Sequence, residues 1–135
     1  MEKLIAERIA HLRELLPGTQ NDTLLVLGDE NRRYLSGFTG EDTQFDESAG
    51  VLIISGKHLV FATDSRFEEQ AKGEADGYDV FCYKKGLDTE LPELLKSIGV
   101  RRLGFESSRI SCQSHALFTA SLAKELPGAE LVPTE

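Results

Sequence analysis

At 135 residues, 40% hydrophobic and 28% charged, the chain has the size and composition of one ordinary domain, able to bury about two thirds of its unfolded-state surface. Its 15 Lys and Arg against 23 Asp and Glu give a formal charge of −8, which argues against nucleic acid or an anionic membrane as partner, since either draws on a concentrated basic surface. No apolar stretch reaches the roughly 18 residues of a membrane span, and the start Met1-Glu-Lys-Leu-Ile-Ala-Glu-Arg8 has an amphipathic period rather than a signal peptide's apolar core, so a cytoplasmic location is expected.

Ile5, Ile9, Leu12 and Leu16 recur at helical spacing and Pro17-Gly18 ends the pattern, which predicts a first helix lying on a sheet. Leu24-Leu-Val-Leu27 reads as a strand buried on both sides. Asp29 is expected to cap a short helix through about Leu35, and Gly37 and Gly40 open a loop to Ser48. Val51–Ile54 and His58–Ala62 flank Ser55-Gly-Lys57, a hairpin signal that forces two antiparallel strands and hence a mixed sheet. Asp64 or Ser65 is expected to cap the next helix, which turns Phe67 and Ala71 to the sheet. Tyr78 to Tyr83 reads as a strand with Cys82 a small buried residue. Leu91, Leu94, Leu95 and Ile98 mark a helix with Pro92 in its first turn. Arg102–Phe105 is a short strand. Ser111 caps a helix carrying Leu117, Ala120 and Leu126, and Ala129–Val132 forms a last strand. Alternating helices and strands with no internal boundary or repeat give a single α/β domain over 1–135.

The residues hold no convincing catalytic set. His11, His58 and His115 are dispersed and outside any His-Glu-x-x-His element; His11 reads as a partly buried helix residue and His58 as a solvated one. Glu41-Asp-Thr-Gln-Phe-Asp-Glu47 holds four acids in seven residues but lacks the spacing of a calcium loop. Ser36 is not in a nucleophile elbow, and Cys112 with His115 reads as structural for want of an orienting acid. Gly28-Asp-Glu-Asn-Arg32 is not a phosphate loop; Arg32 and Arg33 read as solvated or paired residues, one of which could orient a carboxylate. Asp29, Glu30 and Asp64 mimic the acidic pocket of a receiver domain, but that fold needs parallel strands where this chain has a hairpin. Asp64-Ser-Arg66 reads as a cap with a local ion pair.

Asn31-Arg-Arg-Tyr-Leu-Ser-Gly-Phe-Thr-Gly40, Ala49-Gly-Val-Leu-Ile-Ile54, Ala62-Thr-Asp-Ser-Arg-Phe-Glu-Glu-Gln-Ala71 and Leu103-Gly-Phe-Glu106, in this order, resemble the amino-terminal domain of the creatinase, prolidase and aminopeptidase P (M24) family of Xaa-Pro peptidases. The resemblance implies a three-layer α/β sandwich with a mixed β-sheet and a ribonuclease H-like motif, catalytically inactive by itself. It implies a carboxy-terminal pita-bread domain, outside this chain, that binds two divalent metal ions (Mn, Co or Zn) and hydrolyses proline-containing peptides; no metal ligand is assigned within these residues. Creatinase-like amidinohydrolysis is a further possibility for the parent. It further implies a homodimer in which this domain roofs the active-site entrance, with Arg33, Tyr34, Phe38, Glu41 and Asp42 as the roof or interface residues. By themselves Phe38 and Arg33 read equally as a loop-packing ring and a surface cation. Glu41 to Ser48 lengthens a loop that in the family's short form runs almost directly from Gly-Phe-Thr-Gly into Ala-Gly. The competing reading is a stand-alone binding module of the same fold, for which the polypeptide would end at Glu135.

Overall fold

The structure, a computed structural model, describes residues 2–42 and 48–134. Helix α1 (Lys3–Leu15) is followed by strand β1 (Thr23–Val26), α2 (Asp29–Ser36), β2 (Val51–Ser55), β3 (Leu59–Thr63), α3 (Glu68–Glu74), β4 (Asp79–Cys82), α4 (Leu87–Ile98), β5 (Arg102–Glu106), α5 (Cys112–Glu125) and β6 (Glu130–Thr134). The six strands form one sheet in the order β4-β3-β2-β1-β5-β6. β2 pairs antiparallel with both β1 and β3, while β1–β5, β3–β4 and β5–β6 are parallel. The mixed sheet therefore follows from the tight link the sequence shows: Ser55 N–H donates to His58 O at 2.9 Å across the hairpin, too short a connection for a crossover.

Strand alternation divides the core into two faces. In β2, buried along its whole length, Val51 and Ile53 join Leu25, Leu103 and Phe105 under α4 and α5, where Leu91, Leu95, Phe118 and Leu122 close the layer. Leu52 and Ile54 turn the other way, to Val26, Phe61, Ile5 and Ile9 of α1, Leu35 of α2 and Ala71 of α3. Both faces being covered explains the continuous apolar run at β1. Long-range polar ties fix the helices: Arg13 Nε donates to Ser55 O at 2.7 Å, and the Tyr78 hydroxyl donates to Leu35 O at 2.7 Å, satisfying a carbonyl in the last turn of α2. Burial pushes the Tyr78 phenol well above its ordinary value.

Several local expectations are corrected. Asp29 is the first residue of α2 rather than its cap, which is Gly28; there it still favours the positive helix end. Asp64 caps no helix, because the next helix starts only at Glu68; its carboxylate holds a turn by accepting from Arg66 N at 2.9 Å. Pro92 lies at the sixth position of α4, not in its first turn, so the Asp88 carbonyl loses its usual donor. Cys82 is half-buried because β4 is the edge strand, and His11 is exposed on α1. Ser111 does cap α5, accepting from Ser114 N at 3.0 Å, but the helix buries Phe118 and Leu122 and leaves Leu117 and Ala120 outside.

Candidate functional site

Arg32, expected from the sequence to be solvated or paired, is 0% exposed and ties together the described chain on both sides of the acidic loop. Its Nη1 donates to Asp42 Oδ1 and to Gly50 O, both at 2.9 Å, and its Nη2 donates to Gly40 O at 2.7 Å. Asp42 Oδ1 also accepts from Ala49 N at 2.8 Å. One planar guanidinium thus holds both ends of the segment that leaves at Asp42 and returns at Ser48, using the fork geometry that makes Arg suited to buried pairing. Of the acidic loop read at 41–48, residues 43–47 lie outside the described residues.

Gly37 at φ +83° ends α2, donating to Arg33 O at 2.8 Å, a left-handed conformation that glycine adopts without steric cost. The chain then turns Phe38 inward. The ring is 0% exposed, 4.6 Å from Phe61 and 6.2 Å from Phe67 between centroids, so the expectation that it faces an entrance is corrected: it is a core residue anchoring the loop. Gly40 folds back over it so closely that a Cβ there would sit 2.4 Å from Phe38 Cε1. Thr39 points outward, and both its N–H and its hydroxyl donate to the Glu74 carboxylate, at 2.8 and 2.9 Å. The Thr39 N–H is the main reason the Glu74 carboxyl titrates below its ordinary value; desolvation opposes it, and the Thr39 hydroxyl, Gln70 and the Arg33 charge add smaller contributions in the same direction as the N–H.

The five residues read from the sequence therefore do not form one cluster. Arg33 and Glu41 are exposed and line one depression of about 250 Å³ with Asp29, Glu30 and Thr39. Tyr34 lies elsewhere, 53% exposed, with the Arg8 guanidinium 3.9 Å from its ring centroid. Phe38 and Asp42 point inward, the Asp42 side chain retaining 23% exposure.

A residue without an assigned role in the sequence closes the other side of this region. Glu106, at the end of β5, accepts from Leu27 N at 2.6 Å, Gly28 N at 2.8 Å and Asn31 Nδ2 at 2.7 Å. It thereby joins the exit of β1 to the start of α2. Asn31 and Glu106 both belong to the quoted motifs, which was the available signal, but their meeting depends on the parallel pairing of β1 with β5. Arg109 pairs with Glu30 at 2.6 Å beside them. A second depression, of about 200 Å³, lies at the same strand ends between Leu27, Asp42, Tyr83 and Arg109; burial there pushes the Tyr83 phenol up to about 12.

Among the described residues no group of three or more His, Cys, Asp or Glu is placed to hold a metal ion, and no described helix is long and apolar enough to cross a membrane. The donor set of a dinuclear metal centre is thus missing from them: Asp42 is committed to Arg32, Asp64 to Arg66 and Glu106 to backbone amides. Arg32 and Phe38 anchor the backbone of this region, and the outward side chains of Arg33, Thr39 and Glu41 form a polar rim.

The fold is that of an α/β domain built on one mixed six-stranded sheet covered by helices on both faces. The family model for the Creatinase/Prolidase N-terminal domain matches residues 8–135, and the chain belongs to that family. It is 33% identical over 126 residues to the uncharacterized peptidase YqhT of Bacillus subtilis strain 168, covering 93% of this chain and 33% of that protein. Among solved structures, an Xaa-Pro dipeptidase from Bacillus anthracis superposes with a TM-score of 0.82 at 30% identity, over 97% of this chain and 34% of that one. The N-terminal domain of the cytoplasmic peptidase PepQ from Mycobacterium tuberculosis H37Rv gives 0.79 at 27% identity, over 96% and 93%. This chain spans about a third of the length of the first two.

Proposed function

We infer that the chain is the non-catalytic N-terminal domain of an Xaa-Pro dipeptidase or aminopeptidase, a single domain followed in the parent by a carboxy-terminal pita-bread catalytic domain. The observation that carries this reading is the family match over 8–135 together with an alignment that spans a third of a peptidase relative. In the parent, two divalent ions (Mn, Co or Zn) held by that other domain would polarise the scissile amide of a proline-containing peptide. No step is assigned to them here, because the described residues lack a ligand set.

The contribution of this chain is to cover the active-site entrance, within one subunit or across a homodimer, in the cytoplasm. The Arg33–Glu41 depression is the surface suited to it. It is polar, exposed and rigidly based, since Arg32 and Phe38 pin the backbone on either side of Thr39. Arg33 is the cation there that can meet a peptide carboxylate, and Glu41 sets an opposite charge beside it. A roof of this kind acts by positioning substrate and excluding water, so its loss raises KM more than it lowers kcat.

The test is to purify the native gene product and measure its mass and its metal-dependent hydrolysis of Xaa-Pro peptides, with and without Arg33→Ala and Glu41→Ala. A longer, active product whose KM rises in the variants is the expected result. A product ending at Glu135 without hydrolysis would overturn the reading in favour of a stand-alone binding module, and unchanged KM would remove the roof role.

A further inference from the structure

Helix α1 carries two stripes. Ile5, Ile9 and Leu12 turn to the sheet. Leu4, Arg8, His11 and Leu15 repeat at the same three- and four-residue spacing on an adjoining side, and there Leu4 is 48% and Leu15 54% exposed. Tyr34 of α2 continues this surface: Arg8 lies over its ring and donates from Nη1 to Tyr34 O at 2.8 Å. Leu15 and Tyr34 border a groove of about 290 Å³ that is also lined by Arg8, Leu24, Glu106 and Thr134. Of the four exposed large hydrophobic residues among the described ones, three (Leu4, Leu15 and Tyr34) thus belong to α1 or to the residue stacked against it. Leu15 and Tyr34, which meet at this groove, form an exposed apolar patch of the kind that marks an interaction surface.

Thr134 decides what occupies it. It is the last residue of β6, held in place because its hydroxyl donates to Phe105 O at 2.9 Å and its carbonyl accepts from Ser107 Oγ at 2.8 Å. In a polypeptide of the relatives' length, the residues that follow therefore begin at the rim of this groove. A stable contact between separate molecules needs about 1,000 Å² or more of well-fitted surface. A tethered segment works at an effective concentration in the mM range, so a small apolar groove suffices. The stacked, hydrogen-bonded Tyr34 also lowers the ordering cost of being covered.

We propose that the α1–Tyr34 groove is the docking face for the polypeptide that follows Thr134 in the full-length protein, which covers Leu15 and Tyr34 with apolar side chains of its own. The proposal rests on the reading of this chain as one domain of a longer peptidase. Leu15→Cys and, as a reference on the same helix outside the groove, Glu14→Cys are placed separately in the full-length protein with native thiols replaced by serine. Their labelling by a water-soluble maleimide is followed, with the same pair in the 135-residue chain as a second reference. The expected result is labelling at Leu15→Cys slower than at Glu14→Cys by about tenfold or more in the full-length protein only, since access then requires local opening. This protection persists on roughly hundredfold dilution, as an intramolecular contact must. Equal rates in the full-length protein overturn the proposal, and so does protection lost on dilution, which would assign the groove to a second copy. An active full-length peptidase with freely labelled Leu15→Cys rejects the groove alone, whereas a gene product ending at Glu135 rejects the parent reading and the groove with it.

Discussion

Arg32 Nη1 lies 2.9 Å from Asp42 Oδ1, and the guanidinium is completely removed from solvent. Ten residues apart in sequence, the two tie α2 to the chain at Asp42. A buried cation is tolerable because three oxygens meet it, and removing one partner of such a pair typically costs about 3–5 kcal/mol. Arg32→Ala is therefore expected to lower the unfolding free energy by about that amount in urea melts. Arg33→Ala, one residue away and exposed, should change it by less than about 0.5 kcal/mol. Equal effects would mean that the clamp contributes nothing special.

The packing of Gly40 on Phe38 gives a prediction of opposite sign at two glycines. At Gly40 a methyl group would stand 2.4 Å from a fully buried ring, so Gly40→Ala should destabilise by about 1–3 kcal/mol through overpacking. At Gly73, inside α3, a methyl group meets nothing within 4 Å, and Gly73→Ala should stabilise by up to about 1 kcal/mol through helix propensity. Thermal melts of the two variants should move in opposite directions.

The cap on α5 is testable at Ser111, whose Oγ accepts from Ser114 N at 3.0 Å. Ser111→Ala should cost about 1 kcal/mol, and Ser111→Asp, which retains an acceptor beside the positive helix end, should restore most of it. A neutral alanine variant would show that water replaces the cap without loss.

The Thr39–Glu74 contact sets a pH dependence. The Glu74 carboxyl titrates lower in the folded chain than in the unfolded one, chiefly through the Thr39 N–H. Between those two pKa values the unfolded state binds more protons, so stability rises with pH there. The contribution is full above the unfolded-state glutamate value and is lost as pH falls through the lowered one. Asp64 behaves likewise, held down first by the Arg66 guanidinium. Both groups are largely solvated, so the effect is small and screened by salt. Glu74→Gln should flatten the acid side of the stability profile relative to wild type; an unaltered profile would contradict the assignment.

The sequence by itself determined the sheet's mixed character, because three residues between two apolar runs leave no room for a crossover. It also determined the two-sided burial of β1, the cap at Ser111, the Asp64–Arg66 pair and, through the motifs around Asn31–Gly40 and Ala62–Ala71, the family. These depend on local spacing or on neighbours a few residues away. The position of Pro92 within α4 and the buried face of α5 are not legible in the sequence, since helix boundaries and facing are fixed by what the helix packs on rather than by its own period. Only the tertiary structure decided that Arg32 rather than Arg33 is buried, that Phe38 is core, and that Glu106 meets Asn31. Arg32 and Phe38 depend on how the chain between α2 and β2 folds back on them, and Glu106 on the parallel pairing of β1 with β5; neither a charge nor a ring carries in its sequence position the identity of the partner that will desolvate it.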